Sequence, residues 1–209
     1  MELGASGVFV LAADLDHPED AARAVAEHAA SEPVHVLVNN RAGPVSGPLL
    51  EASPEQLLGA LRGHLVAAHL LVRAVLPGMT AAGYGRIVQV LSTSVREPLP
   101  GLGVSNLVRA AVASWAKTLS RELPAGITIN NVLPGATDTE RLAELFAAQA
   151  AREGRPLREV RERWMSGIPQ GRFARPDELA EAIAFLCSPA AGYIHGASVP
   201  VDGGRLNAL

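Results

Sequence analysis

Apolar positions along the chain fall into two alternating rhythms. Short unbroken apolar runs bounded by Gly or polar residues predict buried strands: "GVFVLAAD" (7–14), "VHVLVNN" (34–40), "GRIVQVLS" (85–92), "GITINNVLPG" (126–135) and "GASVPVDGG" (196–204). Between them lie longer segments with helical spacing. "HPEDAARAVAEHAASE" (17–32) carries Pro and acids in its first turn. In 53–79, Ser53 stands at the N-cap position, Pro54 at N1 and Glu55 in the first turn. Helices are also predicted over 106–123 and 175–188. Residues 139–165 are polar and helical, and a solvated lid over 139–170 is expected there, the mixed charges of "AREGRPLREVRERW" being typical of a solvated face.

Strands that alternate with helices predict a parallel sheet covered on both faces, an open doubly wound α/β fold. No repeat, linker or low-complexity stretch divides the chain, so 1–209 is expected to form a single domain. In such sheets ligands bind beyond the carboxyl ends of the strands. Those ends are Asp14, Asn39 to Gly43, Ser92 to Ser94 and Pro134 to Thr139.

Composition narrows the picture. Apolar residues make up 48% of the chain and aromatics only 4%, so the core is built from Ala, Val and Leu. The net charge is −3 and the 18 Lys and Arg form no basic stripe, which argues against nucleic acid or an anionic membrane as a partner. Cys187 is the only cysteine, which excludes a disulfide framework and a cysteine-based metal site. The sequence offers neither a membrane span nor a basic signal-peptide start, so a cytoplasmic protein is expected.

Five stretches together resemble the short-chain dehydrogenase/reductase family, 3-oxoacyl-reductase-like members above all, over essentially the whole chain. They are "ADL" (13–15), "VLVNNRAG" (36–43), "GRIVQVLSTS" (85–94), "VLPGATDT" (132–139) and "VPVDGG" (199–204). The resemblance implies hydride transfer between NAD(P) and a carbonyl or alcohol carbon, with a Tyr-x-x-x-Lys pair, a serine and a helix asparagine at the site. On this chain the serine is Ser92. The tyrosine, lysine and asparagine positions hold Ser105, Arg109 and His64. A serine hydroxyl is a far weaker acid than a phenol, and arginine does not deprotonate, so Ser-x-x-x-Arg is a poor chemical copy of Tyr-x-x-x-Lys. Some relatives carry the same "SNxxRA" form.

The resemblance begins near the family's third strand, and no glycine-rich turn in this chain has the strand–turn–helix setting a pyrophosphate needs. These departures lead to the expectation of a truncated Rossmann-like sheet that lacks the first two strands and the phosphate loop. It would bind no NAD(P) and no metal.

Three functions stay open. The first is a cofactor-independent acid/base enzyme, an isomerase, cyclase or dehydratase of a keto or polyketide-like molecule, using His64, Ser92, Ser105 and Arg109. The second is a non-catalytic subunit of an active relative. The third is an NAD(P)-dependent reductase whose phosphate loop comes from elsewhere. Around the site, Asn40, Arg41, Gly43, Ser94, Pro134, Gly135 and Thr139 are expected to line a substrate or residual cofactor cleft, with Arg41 filling cofactor space or gripping an anion. His69 is expected to be structural. An edge exposed by strand 8–13 would be covered by a second copy, giving a homodimer or homotetramer, with a hetero-oligomer as the alternative.

Overall fold

A computed structural model describes residues 8–208. The sheet has four parallel strands in sequence order: β1 (Val36–Asn39), β2 (Gly85–Val90), β3 (Ile127–Pro134) and β4 (Ser198–Val201). Register pairs Val36 with Arg86, Ile87 with Ile129 and Val132 with Val199. Helices α1 (Pro18–Ser31), α2 (Pro54–Leu61), α3 (Ala67–Ala82), α4 (Gly103–Leu119), α5 (Glu140–Glu153), α6 (Leu157–Ser166) and α7 (Pro176–Cys187) alternate with the strands.

Side chains alternate across the sheet, as a pleated strand requires. On one face Ile87, Ile127 and Ile129 pack against Val72, Val75 and Met79 of α3 and Ala116 of α4. On the other, Val88 and Val132 meet Leu186 of α7 and Ala191. The parallel doubly wound α/β arrangement is therefore present. A third cluster, Leu142, Phe146, Val160, Ile168 and Phe173, joins α5 to α6 beside the strand ends, so 139–170 forms two helices with a core of their own.

Local chemistry sets the boundaries. Ser53 accepts a hydrogen bond from the Gln56 amide while Gln56 Oε1 accepts from the Ser53 amide, a reciprocal cap that starts α2 after Ser53. Gly83, with φ of 62°, ends α3 in the left-handed region. Between α2 and α3 the helix widens to a π-turn over Arg62–Val66, so Pro54–Ala82 is one continuous helical run. By length and composition alone that run could cross a membrane. Its α3 half instead buries Val72, Val75 and Met79 against the sheet.

The strand expected over 8–13 does not form. Val8, Phe9 and Val10 are largely exposed, and among the described residues no strand pairs with them. Phe9 stacks on His28 of α1, with ring centroids 4.8 Å apart. An apolar run becomes a strand only where a neighbour completes its ladder, and β1 is the edge of the described sheet.

Met79 is fully buried between α3 and the sheet, whereas Leu50 is fully exposed. Met79→Ala is expected to cost about 2–5 kcal/mol in urea unfolding, and Leu50→Ala close to nothing. Equal midpoints for the two variants would contradict this packing.

Candidate active site

The carboxyl ends of β2 and β3 open into a cleft of about 610 Å³, walled by Ser92, Ser105, Arg109, Gly135, Thr137 and Arg141 among others. Arg109 organises it. From α4 its Nη1 donates to the carbonyls of Leu91 (2.8 Å) and Val90 (3.2 Å), and its Nε donates to Ser105 Oγ (3.2 Å). Burial of the guanidinium, and then the charge of Arg141, lower the Arg109 pKa, yet an arginine so held stays charged. The helix begins at Gly103, three residues earlier than expected, which places Ser105 in its first turn, buried.

Ser92 caps the short turn Thr93–Val95, its Oγ accepting from the Ser94 amide (3.1 Å). That contact uses a lone pair and leaves the hydroxyl proton free to donate. Ser94 Oγ is buried without a partner, and Thr137 Oγ1 is likewise buried and unpartnered. Thr139 lines the cleft, with its hydroxyl engaged locally. It is exposed, caps α5 through the Leu142 amide (3.4 Å) and donates to the Thr137 carbonyl (3.3 Å). Thr137, two residues earlier, lines the same cleft with its hydroxyl buried and unpartnered. It carries the same hydroxyl in the same turn, and nothing in the sequence pattern separates the two. Arg141 was also missed, because a helix arginine in a mixed-charge segment reads as surface.

Pro134 and Gly135 line the same cleft. A Cβ on Gly135 would lie 2.7 Å from Asp202 Cα, so this turn needs glycine to pass the end of β4. Gly43 marks where the cations converge. A Cβ there would be 3.5 Å from Arg109 Nη2, 3.8 Å from Ser105 Oγ and 3.9 Å from Arg141 Nη2.

His64 sits in the π-turn and lines a neighbouring cleft of about 470 Å³ with Asp16, Arg41 and Gly43. It is not brought against Ser92 or Ser105 by any hydrogen bond among the described residues. Burial, with the positive charges of Arg109 and Arg41, lowers its pKa to about 4, so it is neutral at pH 7. His69 stands edge-on to Trp115, at 6.2 Å.

Arg41 pairs with Asp16 (2.7 Å), and its guanidinium lies against the bare backbone of Gly63, where even a methyl group would collide with it. Asn40 lies at the mouth between the strand end and Arg41. Asn39 Nδ2 and Arg41 Nη1 are buried donors without acceptors. Such unpaired donors along the strand ends fit a ligand rich in acceptor oxygens, as a dinucleotide's ribose and phosphate groups are. No group of three or more His, Cys, Asp or Glu among the described residues could hold a metal ion.

Residues 1–205 match the family model described as enoyl-(acyl carrier protein) reductase. The chain is 33% identical over 204 residues to 2,3-dihydroxy-2,3-dihydro-p-cumate dehydrogenase of Pseudomonas putida, covering 96% of this chain and 75% of that protein. It is 33% identical to the 3-oxoacyl-[acyl-carrier-protein] reductase of Pseudomonas aeruginosa, over 81% of this chain and 64% of that one. Its fold superposes on L-sorbose reductase from Gluconobacter frateurii, solved with NADPH and L-sorbose, with a TM-score of 0.86, 31% identity, and coverage of 95% and 76%. It also superposes on YwfH, an NADPH-dependent reductase involved in bacilysin biosynthesis, with a TM-score of 0.89, 25% identity, and coverage of 96% and 78%.

These similarities contradict the expectation of a cofactor-independent isomerase, cyclase or dehydratase that has lost NAD(P). Nearly the whole chain matches oxidoreductases, among them reductases that use or were solved with NADPH, and the expectation of a chain without redox chemistry falls with that. The error was to take the lack of a glycine-rich turn, together with the altered side chains at the site, as loss of the cofactor. The cofactor carries the hydride, and the protein's share is position and charge.

The His64 pKa, lowered from 6.5 to about 4, favours the neutral ring in the folded protein. The unfolded chain therefore takes up the extra proton first, and stability is lost as pH falls from about 6.5 towards 4. Denaturant midpoints measured across that range should fall less steeply for His64→Gln. Identical slopes for both proteins would contradict the buried neutral histidine.

Proposed function

The chain belongs to the short-chain dehydrogenase/reductase family, and on that premise we propose that it is an NAD(P)-dependent oxidoreductase interconverting a carbonyl and an alcohol on a small molecule. The observation that supports this most is the convergence of Ser92, Ser105 and Arg109 on one cleft at the strand ends, in a chain similar to reductases throughout its length. A bound nicotinamide supplies the hydride for reduction or accepts it for oxidation.

The residues of the chain manage the oxygen. As the carbonyl carbon gains hydrogen, its oxygen gains negative charge. The Ser92 and Ser105 hydroxyls each accept a hydrogen bond from a fixed donor, the Ser94 amide and Arg109 Nε, which leaves their protons to donate to that oxygen. Arg109 adds a permanent positive charge beside Ser105. The forming alkoxide is basic enough to draw its proton from water through a serine hydroxyl, so no side chain of pKa near 7 is needed. Neutral His64 serves as a hydrogen-bonding wall of the adjoining cleft and not as the acid.

Asn39, Asn40, Arg41 and Thr137 are the residues suited to hold the cofactor, with Pro134 and Gly135 giving it close access to the turn. Helices α5 and α6 form the cover of the substrate side, within one domain. A soluble, cytoplasmic homo-oligomer packed through the long helices fits this reading.

The test is NADPH and NADH consumption with a panel of small ketones and 3-oxoacyl thioesters. Ser92→Ala is expected to lower kcat about 10²-fold, the usual loss for one donor to a developing oxyanion, and Arg109→Gln by at least as much. Turnover unchanged in Ser92→Ala would contradict the assigned role.

A further inference from the structure

Among the described residues, the wall of the main cleft carries four arginines, Arg41, Arg109, Arg141 and Arg205, and no Asp or Glu. Two of these are committed elsewhere. Arg41 is neutralised by Asp16, and Arg205 leans on Trp164, 5.4 Å from its ring, with Nη1 3.5 Å from Thr93 Oγ1. Arg109 and Arg141 converge on Gly43. Their Nη2 atoms flank the same glycine, each within 4 Å of where a Cβ on Gly43 would be. Among the described residues Arg109 has no carboxylate partner, and its Nη2 makes no hydrogen bond. Arg141 is held by Glu144 through Nη1 (3.2 Å) and reaches the Pro44 carbonyl through Nη2 (3.4 Å).

Two like charges flanking one glycine repel, and burial of one raises the cost. The charge of Arg141 is one of the two causes that lower the Arg109 pKa. A carboxylate between them would remove the repulsion and take charge-assisted hydrogen bonds from both. Ser105 Oγ flanks the same glycine, 3.8 Å from where its Cβ would be. An anion there is therefore next to the oxygen that Ser105 would polarise.

We propose that the Arg109–Arg141 pair above Gly43 selects an anionic substrate, an oxo acid whose carboxylate lies one or two carbons from the carbonyl. The inference rests on reading the cleft as a carbonyl reductase site. It separates this chain's substrate from neutral sugars and from thioesters, which offer no charge at that position. Arg109 then has two duties, holding the strand ends through Nη1 and the substrate through Nη2. Arg141, steadied by Glu144, holds no strand end.

The experiment is calorimetric binding of acetoacetate and of methyl acetoacetate, without cofactor, to the whole chain and to its Arg141→Gln and Glu144→Gln variants. Acetoacetate is expected to bind at least tenfold more tightly than the ester, and added NaCl should weaken the acid alone. Arg141→Gln should abolish the preference and Glu144→Gln should keep it. Arg141 projects from an exposed helix position, so the glutamine variant is expected to keep its fold, and the salt dependence of the unaltered protein gives an independent readout. Equal affinities for acid and ester, no binding of the acid at 10 mM (on the order of a weak −3 kcal/mol contact), or a preference that survives Arg141→Gln would each overturn the proposal. A separate NADPH titration distinguishes the two readings. If Arg141→Gln weakens NADPH and not acetoacetate, the cations serve the cofactor's phosphates and the proposal fails while the redox reading stands.

Discussion

One buried guanidinium ties the site together. Arg109 reaches from α4 to the carbonyls of Val90 and Leu91, where β2 ends, and to Ser105 one helical turn back. Removing a charge from water is costly unless its donors are satisfied. Here three hydrogen bonds offset that cost, and they pin the helix, the strand end and the hydroxyl into a single arrangement. A lysine offers one compact ammonium on a flexible stem. It could not hold two carbonyls and a serine with the same rigid fork. Thus the change from lysine to arginine at this position alters how the cleft is built as well as how protons move through it.

Around this anchor the sheet supplies the geometry. Parallel strands end together, so the turns after Asn39, Val90 and Pro134 meet at one edge. Gly135 lets the third turn pass against Asp202, and Gly63 in the π-turn makes room for the Arg41 guanidinium. The π-turn itself widens the helix where His64 sits, a local irregularity of the kind often found at functional sites. The result is a pair of adjoining clefts that share the loop of Arg41, Ala42, Gly43 and Pro44.

Much of this was legible in the residues. Ser53, Pro54 and the apolar spacing after them announced a capped helix, and the runs at 85–92 and 126–135 read as buried strands because they are buried on both faces. Strand 8–13 was misread because an apolar run says nothing of whether a neighbour completes its ladder. Ser92, Ser105 and Arg109 were placed by motif position. Their hydrogen bonds were invisible, since those depend on how α4 meets β2. Thr137 and Arg141 were missed for the same reason: side-chain direction within a turn, or across a helix start, is a tertiary property. The inference about cofactor went astray by treating the lack of a glycine-rich turn as loss of the whole cofactor site.

The central claim is that this chain works with a nicotinamide cofactor. Calorimetric titration of the purified protein with NADPH, and separately with NADH, tests it most directly. Saturable binding of at least one of them with Kd tighter than about 1 mM, near −4 kcal/mol, is the predicted result. No detectable binding of either at millimolar concentration would contradict the account.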